Sequence, residues 1–529
     1  MTKLIYMKRY LLFLGLLSMV SCKKYLDVNT DPNNATVTKA NYVFTNALAV
    51  TAGNQVGGAH ALGSTWTGYW AHSTSFTGGG QEKTYIFTNN DFDYFTGLYD
   101  NATDYQYVID HAAADGFPHL VGPAKIMLAL VYQRLVDLYG DVPYTQALQG
   151  TKFTYPKFDD AKTIYEDLVT KINSGIADVN SATWPLSESA DIMFKGNKTL
   201  WIQLANTLKL RIVMRQSNMA GRDSYITGVI NAISGGFLTD NAYVNPGYTK
   251  TAGKLNPFYG NWGYDQNDAQ TGNFAYRKMN AVIINWLKNS GDIFRLQRIA
   301  TPKGTSVPSS NPGDYQGVPM GSPTGYLEAV CSSIGSEQIV LGDASRASIL
   351  MTAAEAYFLR AEAFAKYGIA SVGTDASNYT SGVRSAFRLA AATQAGTGTS
   401  TNSAADAAAD AYIAGSSPTN GVYINYASAT TTADKLKAIW VQKWVALCNI
   451  DGLESWAEYR RTNTTNAAGA VLTYGNCPYS PKSVAATSPG GAEPVRLFYP
   501  LREESVNSAN VPHPAGFSVF TSKIFWDAN

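Results

Sequence analysis

The chain has 529 residues, 45% of them hydrophobic and 15% charged, which suits a globular protein with a sizeable core. Its 41 Lys and Arg nearly cancel 40 Asp and Glu, so a formal charge of +1 gives no electrostatic case for nucleic acid. Five histidines and four cysteines, with no cysteine pair at metal-ligand spacing, supply little material for imidazole chemistry or a zinc site.

The chain opens on an export signal. Lys3, Lys8 and Arg9 form a positive region, and Leu11-Leu12-Phe13-Leu14-Gly15-Leu16-Leu17 begins an apolar run that ends at Ser18-Met19-Val20-Ser21-Cys22. A spanning helix needs roughly 20 apolar residues, and this run is about half that, so residues 1–21 read as a cleaved signal peptide. Met7 offers a second plausible start, since Met7-Lys8-Arg9-Tyr10 opens a more typical signal by itself. The small Ser21 suits a narrow peptidase pocket, and the Cys22 thiol directly after the cut can take a diacylglycerol. The pattern resembles a bacterial lipobox, with Met19 where Leu is usual. Each buried lipid methylene contributes about 0.8 kcal/mol, so two or three acyl chains hold a protein stably without spanning. Residues 22–40, polar and turn-rich, read as the lipidated tether, and no later run is apolar enough to cross a membrane.

Residues 41–529 read as one mainly α-helical domain. Helix-period apolar positions recur over Gly122 to Tyr139, Asp160 to Asn173 and Thr199 to Gln216. They recur again over Ile349 to Tyr367, Tyr379 to Ala391 and Ala433 to Tyr459. Helices of this length joined in pairs suggest tetratricopeptide-like packing, although no clean repeat period is present. Between them lie long stretches rich in Gly, Asn, Thr and aromatics: Gly53 to Asp104, Gly235 to Tyr276 and Thr301 to Gly342. A fourth, Gly396 to Thr432, is dominated by Ala, Thr and Ser and is expected to be a mobile excursion. Cys448 falls in an apolar helical pattern as a core residue, and Cys331 with Cys477 is a possible disulfide in an oxidising compartment.

No His-Glu-x-x-His, Gly-x-Ser-x-Gly or Walker-type loop is present. The pairs Asp91 with Asp93 and Asp265 with Asp268 could in principle run glycoside hydrolysis. Aspartates in Gly-rich loops are more often turn formers. Two aromatic clusters stand out: Trp66, Tyr69 and Trp70 in the first loop, and Phe258, Tyr259, Trp262 and Tyr264 with Asp265 in the second. A sugar ring has an apolar C–H face and a polar rim, so flat rings can cover the first while amides and carboxylates bond the second. The same rings could instead pack their loops onto the helices. A ligand contact by at least one cluster is the expectation.

Several blocks then occur in a characteristic order. They are Cys22-Lys23-Lys24-Tyr25-Leu26-Asp27, Tyr132-Gln133-Arg134-Leu135-Val136-Asp137-Leu138-Tyr139-Gly140-Asp141-Val142-Pro143-Tyr144 and Asn206-Thr207-Leu208-Lys209-Leu210-Arg211. Glu355 to Ala363, Gln442 to Leu447, Glu454 to Thr462 and Arg496-Leu497-Phe498-Tyr499-Pro500 follow. Together they resemble the SusD/RagB-like family of outer-membrane nutrient-binding lipoproteins, in its SusD-like branch of Bacteroidetes type. The usual Asp-Pro-Arg-Leu stands here as Asp292-Ile293-Phe294-Arg295-Leu296, and Val495 sits where a second basic residue would precede Arg496. The resemblance implies four tetratricopeptide-like helix pairs supporting a loop-built, aromatic-rich ligand face. It also implies a surface-exposed lipoprotein of the outer membrane that binds a glycan or oligosaccharide and passes it to a SusC-like TonB-dependent transporter, over which it closes as a lid. It gives Trp444, Trp456, Arg460 and Arg461 packing and ion-pairing roles, and it transfers no ligand motif.

The leading expectation is therefore a non-catalytic nutrient-binding lipoprotein with no cofactor, catalytic residue or bound metal assigned, a structural Ca²⁺ in the Asp- and Asn-rich loops being left open. Three other readings stay open: a secreted glycoside hydrolase, a purely structural lid or assembly module, and a binder of peptide.

Overall fold

A computed structural model describes residues 38–305, 307–335, 342–392, 402–415, 421–462 and 482–528. The signal peptide, Cys22, most of the tether and Cys477 lie outside them.

Several of the helices begin where short polar side chains satisfy the first free N–H groups. Helix α1 spans Ala40–Gln55, α2 Gly58–Trp66, α3 Phe95–His111 and α4 Val121–Tyr139. Helix α5 runs over Ala161–Ser181, capped by Asp160 accepting from Thr163 N, and α6 over Lys198–Met214, capped by Asn197. Next come α7 (Asp223–Asn231), α8 (Ala281–Asn289) and α9 (Ala353–Tyr367), the last opened by Thr352 and closed by left-handed Gly368. Then follow α10 (Asp375–Ala391), α11 (Ser403–Ala414), α12 (Thr432–Leu447) and α13 (Gly452–Thr462). Among the described residues six short strands pair two by two, antiparallel: β1 (Trp70–His72) with β5 (Arg277–Met279), β2 (Val142–Pro143) with β3 (Phe158–Asp159), and β4 (Ala242–Val244) with β6 (Ser348–Met351).

Successive helices pack as pairs. Helices α3, α4, α5 and α6 form one run of neighbours, and α9, α10, α11 and α12 form another. This is the expected mainly α, tetratricopeptide-like scaffold. Helix α4 is central, buried along nearly its whole length, and its apolar residues face neighbours on every side. Cys448 is buried in the core as expected, at the end of α12.

Three expectations change. The run Ala433 to Tyr459 is two helices, broken at Asn449, whose backbone is left-handed. Ile349 and its neighbours form strand β6, because pairing with β4 satisfies their backbone. The stretch from Gly396 contains α11, anchored on α10 by Ala405, Ala409 and Tyr412 and by the bidentate pair Arg388–Asp406 at 2.6 Å. Segments 396–401 and 416–420 of the stretch lie outside the described residues, and Gly421–Ile424 forms one further short helix.

Helices α2 and α13 cross at glycines. A Cβ on Gly63 would lie 2.1 Å from the Gly452 carbonyl oxygen, and one on Gly452 would lie 2.2 Å from that of His60. Glycine at both positions lets the two backbones touch.

A buried ionic network joins α4, α6, α9, α12 and α13. Arg211 holds Glu355 through two 2.6 Å bonds, and Arg461 holds Glu362 at 2.6 and 2.9 Å. Arg215 bonds Glu454 at 2.5 Å, pairs with Glu458, and lies 3.6 Å from Asp137. Lys443 completes it, 3.4 Å from Glu454 and 3.3 Å from Glu458. Burial alone would raise the Glu454 and Glu458 carboxyls. The surrounding cations outweigh it and hold both below the usual carboxylate range. Removing one partner from such a cluster leaves uncompensated charge in the interior. Arg215→Met is expected to lower unfolding free energy by about 3–5 kcal/mol, read as a shift in the urea midpoint; a loss under about 1 kcal/mol would mean the cluster is not under that constraint.

Candidate functional site

The two aromatic loops, about 200 residues apart, meet through the β1–β5 ladder, with Trp70 opposite Met279, Ala71 opposite Lys278 and His72 opposite Arg277. Backbone bonds extend the pairing: Ser73 N–H donates to Tyr276 O at 2.8 Å, and Asn280 N–H to Tyr69 O at 2.8 Å. A third segment joins from the other side. Thr74 N–H donates to Tyr326 O at 2.8 Å, and Met279 N–H to Ser332 O at 2.9 Å. Three loops are thus held at one place by main-chain bonds.

Between them opens a cleft of about 630 Å³, within the range of small-molecule sites. Tyr264, Pro302 and Leu327 supply its apolar walls, while Ser75, Gln270, Thr301, Ser333, Lys278 and Glu328 supply polar groups. Leu327 is 55% exposed at the rim. The Tyr264 ring is half-buried and leans on Phe274, centroids 5.1 Å apart. Alternation along β5 sends neighbouring side chains to opposite faces. Lys278 therefore reaches the cleft while Arg277 turns inward.

Behind the cleft, Arg277 grips Glu82 at 3.0 and 2.9 Å and bonds Thr65 Oγ1 at 2.9 Å. Burial raises the Glu82 carboxyl, but Arg277 and His72 outweigh it and hold it well below the usual range. An ionised carboxylate only accepts, so His72 Nε2, 2.8 Å from Glu82, carries the proton and donates. Burial still pushes the His72 pKa down. His60 accepts from Gly452 N–H at 3.2 Å through Nδ1, and burial, then the Arg277 charge, lowers its pKa to about 3.

Most of the rings expected to face a ligand are spent on this support. Trp66, Tyr69, Trp70 and Phe258 are buried to 2% exposure or less, and Tyr259 and Trp262 to 6%. Their polar atoms are satisfied inside: Trp70 Nε1 donates to Asn449 Oδ1 at 2.8 Å, Trp262 Nε1 to Val56 O at 2.6 Å, and Tyr69 OH to Trp444 O. A ring packed on both faces has none left for a sugar. Tyr264 alone of the eight lines the cleft. Asp265 is tied into a turn, accepting from Asn267 N and Ala269 N at 2.8 and 2.9 Å.

The other candidate acids are occupied as well. Asp91 accepts from Thr88 N at 2.9 Å, Asp93 accepts from Thr96 N at 3.1 Å, and the exposed Asp268 pairs with Lys250. Among the described residues no group of three or more His, Cys, Asp or Glu is placed to hold a metal ion. No described helix is long and apolar enough to cross a membrane.

No sequence motif contains Lys278, Glu328, Ser333 or Thr301. The one available signal is Arg277-Lys278, consecutive cations directly ahead of an apolar helix in a chain with few charges.

Residues 32–500 match a family model, SusD-like, described as starch-binding and associating with the outer membrane. Among solved structures, a SusD homologue from Bacteroides fragilis matches with TM-score 0.70 at 19% identity, over 93% of this chain and 99% of that one. A chitin-binding SusD homologue from Flavobacterium johnsoniae matches with TM-score 0.67 at 20% identity, over 92% and 99%. A SusD homologue from Bacteroides uniformis gives 0.66 at 20%, over 92% and 100%. At these identities the structural matches establish a shared fold. No curated protein matches the chain.

His60 makes the support testable. As pH falls through 6.5 the unfolded chain protonates this histidine, whereas the folded chain resists until about 3. The histidine therefore leaves stability intact above 6.5 and lowers it on acidification, by up to about 1.4 kcal/mol per pH unit. Glu82 adds to the loss only below its unfolded value of 4.5. Urea midpoints at pH 7.5 and 5.0 are expected to fall in the native chain and to fall less in His60→Gln. Equal falls in both would place the proton uptake elsewhere.

Proposed function

The chain belongs to the SusD-like family, and from that premise we propose that it is a non-catalytic, lipid-anchored nutrient-binding protein of the outer membrane that takes up a glycan in the Tyr264–Lys278 cleft. The observation that carries this reading is the cleft itself: one aromatic wall facing a floor of hydroxyl, amide, ammonium and carboxylate groups, on a fold whose family is described as starch-binding. Tyr264 covers the C–H face of a sugar ring while the floor bonds its hydroxyls. The chitin-binding homologue supports a glycan as the class of ligand.

A non-catalytic role is supported by the acids. Glycoside hydrolysis of the usual kind needs two carboxyl groups flanking one bond, and among the described residues Glu328 is the one carboxylate lining the cleft. Lipidation at Cys22 after cleavage of residues 1–21 explains attachment without a spanning helix. Family membership further implies delivery to a SusC-like TonB-dependent transporter.

Native gels cast with a panel of polysaccharides, with assay of released sugar, test the reading. Retardation without product is the expected result. Product formation would support the hydrolase instead, and neither retardation nor product would leave a peptide ligand or a lid role. Tyr264→Ala is expected to weaken retardation by more than about fivefold, about 1 kcal/mol, with an unchanged thermal midpoint. Cys22→Ser is expected to move the protein from the membrane fraction to the soluble one; retention would exclude Cys22 as the anchor.

A further inference from the structure

Among the described residues, Lys278 and Glu328 are the two charged ones lining the cleft. Lys278 is 1% exposed, and its ammonium donates to Ser333 Oγ at 2.8 Å and to the Phe274 carbonyl at 3.4 Å. An ammonium has three N–H groups, and the one beyond these two bonds is left facing Glu328. Glu328 Oε1 stands 3.6 Å from Nζ, an ion pair too long for a good direct hydrogen bond. The Glu328 backbone is pinned from the first loop, its N–H donating to Ser75 Oγ at 2.9 Å. Among the described residues Lys278 is the one cation paired with its carboxylate.

A donor and an acceptor thus stand side by side with no net charge. A hydroxyl both donates and accepts, so two adjacent hydroxyls on one sugar ring complement the pair: one accepts from Lys278 and its neighbour donates to Glu328. A ring carboxylate or sulfate only accepts, and beside Glu328 it meets like charge in a partly desolvated place. A ring whose second position carries an acetamido group, with its neighbours in glycosidic linkage, offers no adjacent hydroxyls. On the glycan-binding reading, we infer that the cleft selects uncharged glycans carrying a vicinal diol, bridged between Lys278 Nζ and the Glu328 carboxylate, and that Glu328 rejects acidic glycans.

Titration calorimetry on the mature chain in detergent tests this with maltohexaose, cellohexaose and xylohexaose as diol-bearing probes. Chitin hexasaccharide and hexagalacturonate serve as the diol-poor and acidic ones. At least one diol-bearing probe is expected to bind at least tenfold more tightly than the other two. Glu328→Ala is expected to weaken it at least tenfold, and Glu328→Gln to weaken it less while admitting hexagalacturonate. Glu328 is the counter-charge of the buried Lys278, so the thermal midpoint of each variant is measured alongside as the check that the fold is kept, and Lys278 need not be touched. Preferred binding of hexagalacturonate or chitin hexasaccharide by the native chain would overturn the inference and leave the glycan reading standing. So would undiminished binding in Glu328→Ala when Tyr264→Ala loses it. Absence of binding to every probe, with no retardation in any polysaccharide gel, would overturn both.

Discussion

The fold depends on charge held where water cannot reach it. Arg211, Arg215, Lys443 and Arg461 share the interior with Glu355, Glu362, Glu454, Glu458 and Asp137, contributed by five helices. Such groups are costly to desolvate, and the cost is offset only when each ion has its partners in good geometry. A helix that slipped by one turn would strand several of them at once. The network therefore constrains how α4, α6, α9, α12 and α13 meet far more sharply than apolar contact, which tolerates small shifts.

The consequence passes outward to the loops. Helix α13, fixed by Glu454, Glu458 and Arg461, seats Gly452 against α2, and α2 leads directly into β1. From α12, Trp444 donates to Thr67 O at 3.0 Å and stacks on Tyr69. The first aromatic loop is thus bolted to the helices by its own rings. Large rings bury 150–250 Å² each, and here that area makes long loops rigid. A cleft built on such loops needs few exposed aromatics. Tyr264, Phe274, Pro302 and Leu327 with a handful of polar side chains line it, and the ionic pair Arg277–Glu82 sits behind as a second buried clamp. This division between rings that hold the loops and small polar groups that face the cleft explains how a surface rich in Gly, Ser and Thr keeps a defined shape.

What could be read from the sequence alone is what local physics sets. Helix periodicity marked α4, α5, α6, α9, α10 and the α12–α13 run, because a buried stripe must recur every three to four residues. Ordered blocks such as Tyr132 to Tyr144 and Glu454 to Thr462 carry the resemblance to the family, and they contain Asp137, Glu454, Glu458 and Arg461 of the ionic network. Only the tertiary structure decided the rest. The break at Asn449 carries no proline, and Ile349 became strand because a partner about a hundred residues away was present to pair with it. Whether Trp70 or Trp262 faces solvent or core depends on what lies on both sides of the ring, and those neighbours come from β5, α1 and the Asn449 turn. Lys278 and Glu328 are distant in sequence and unremarkable there; a two-residue alternation in β5 and one backbone bond to Ser75 put them 3.6 Å apart. Composition and spacing record what each segment prefers to bury, whereas a binding site is made of what is left over after every segment has found its partners.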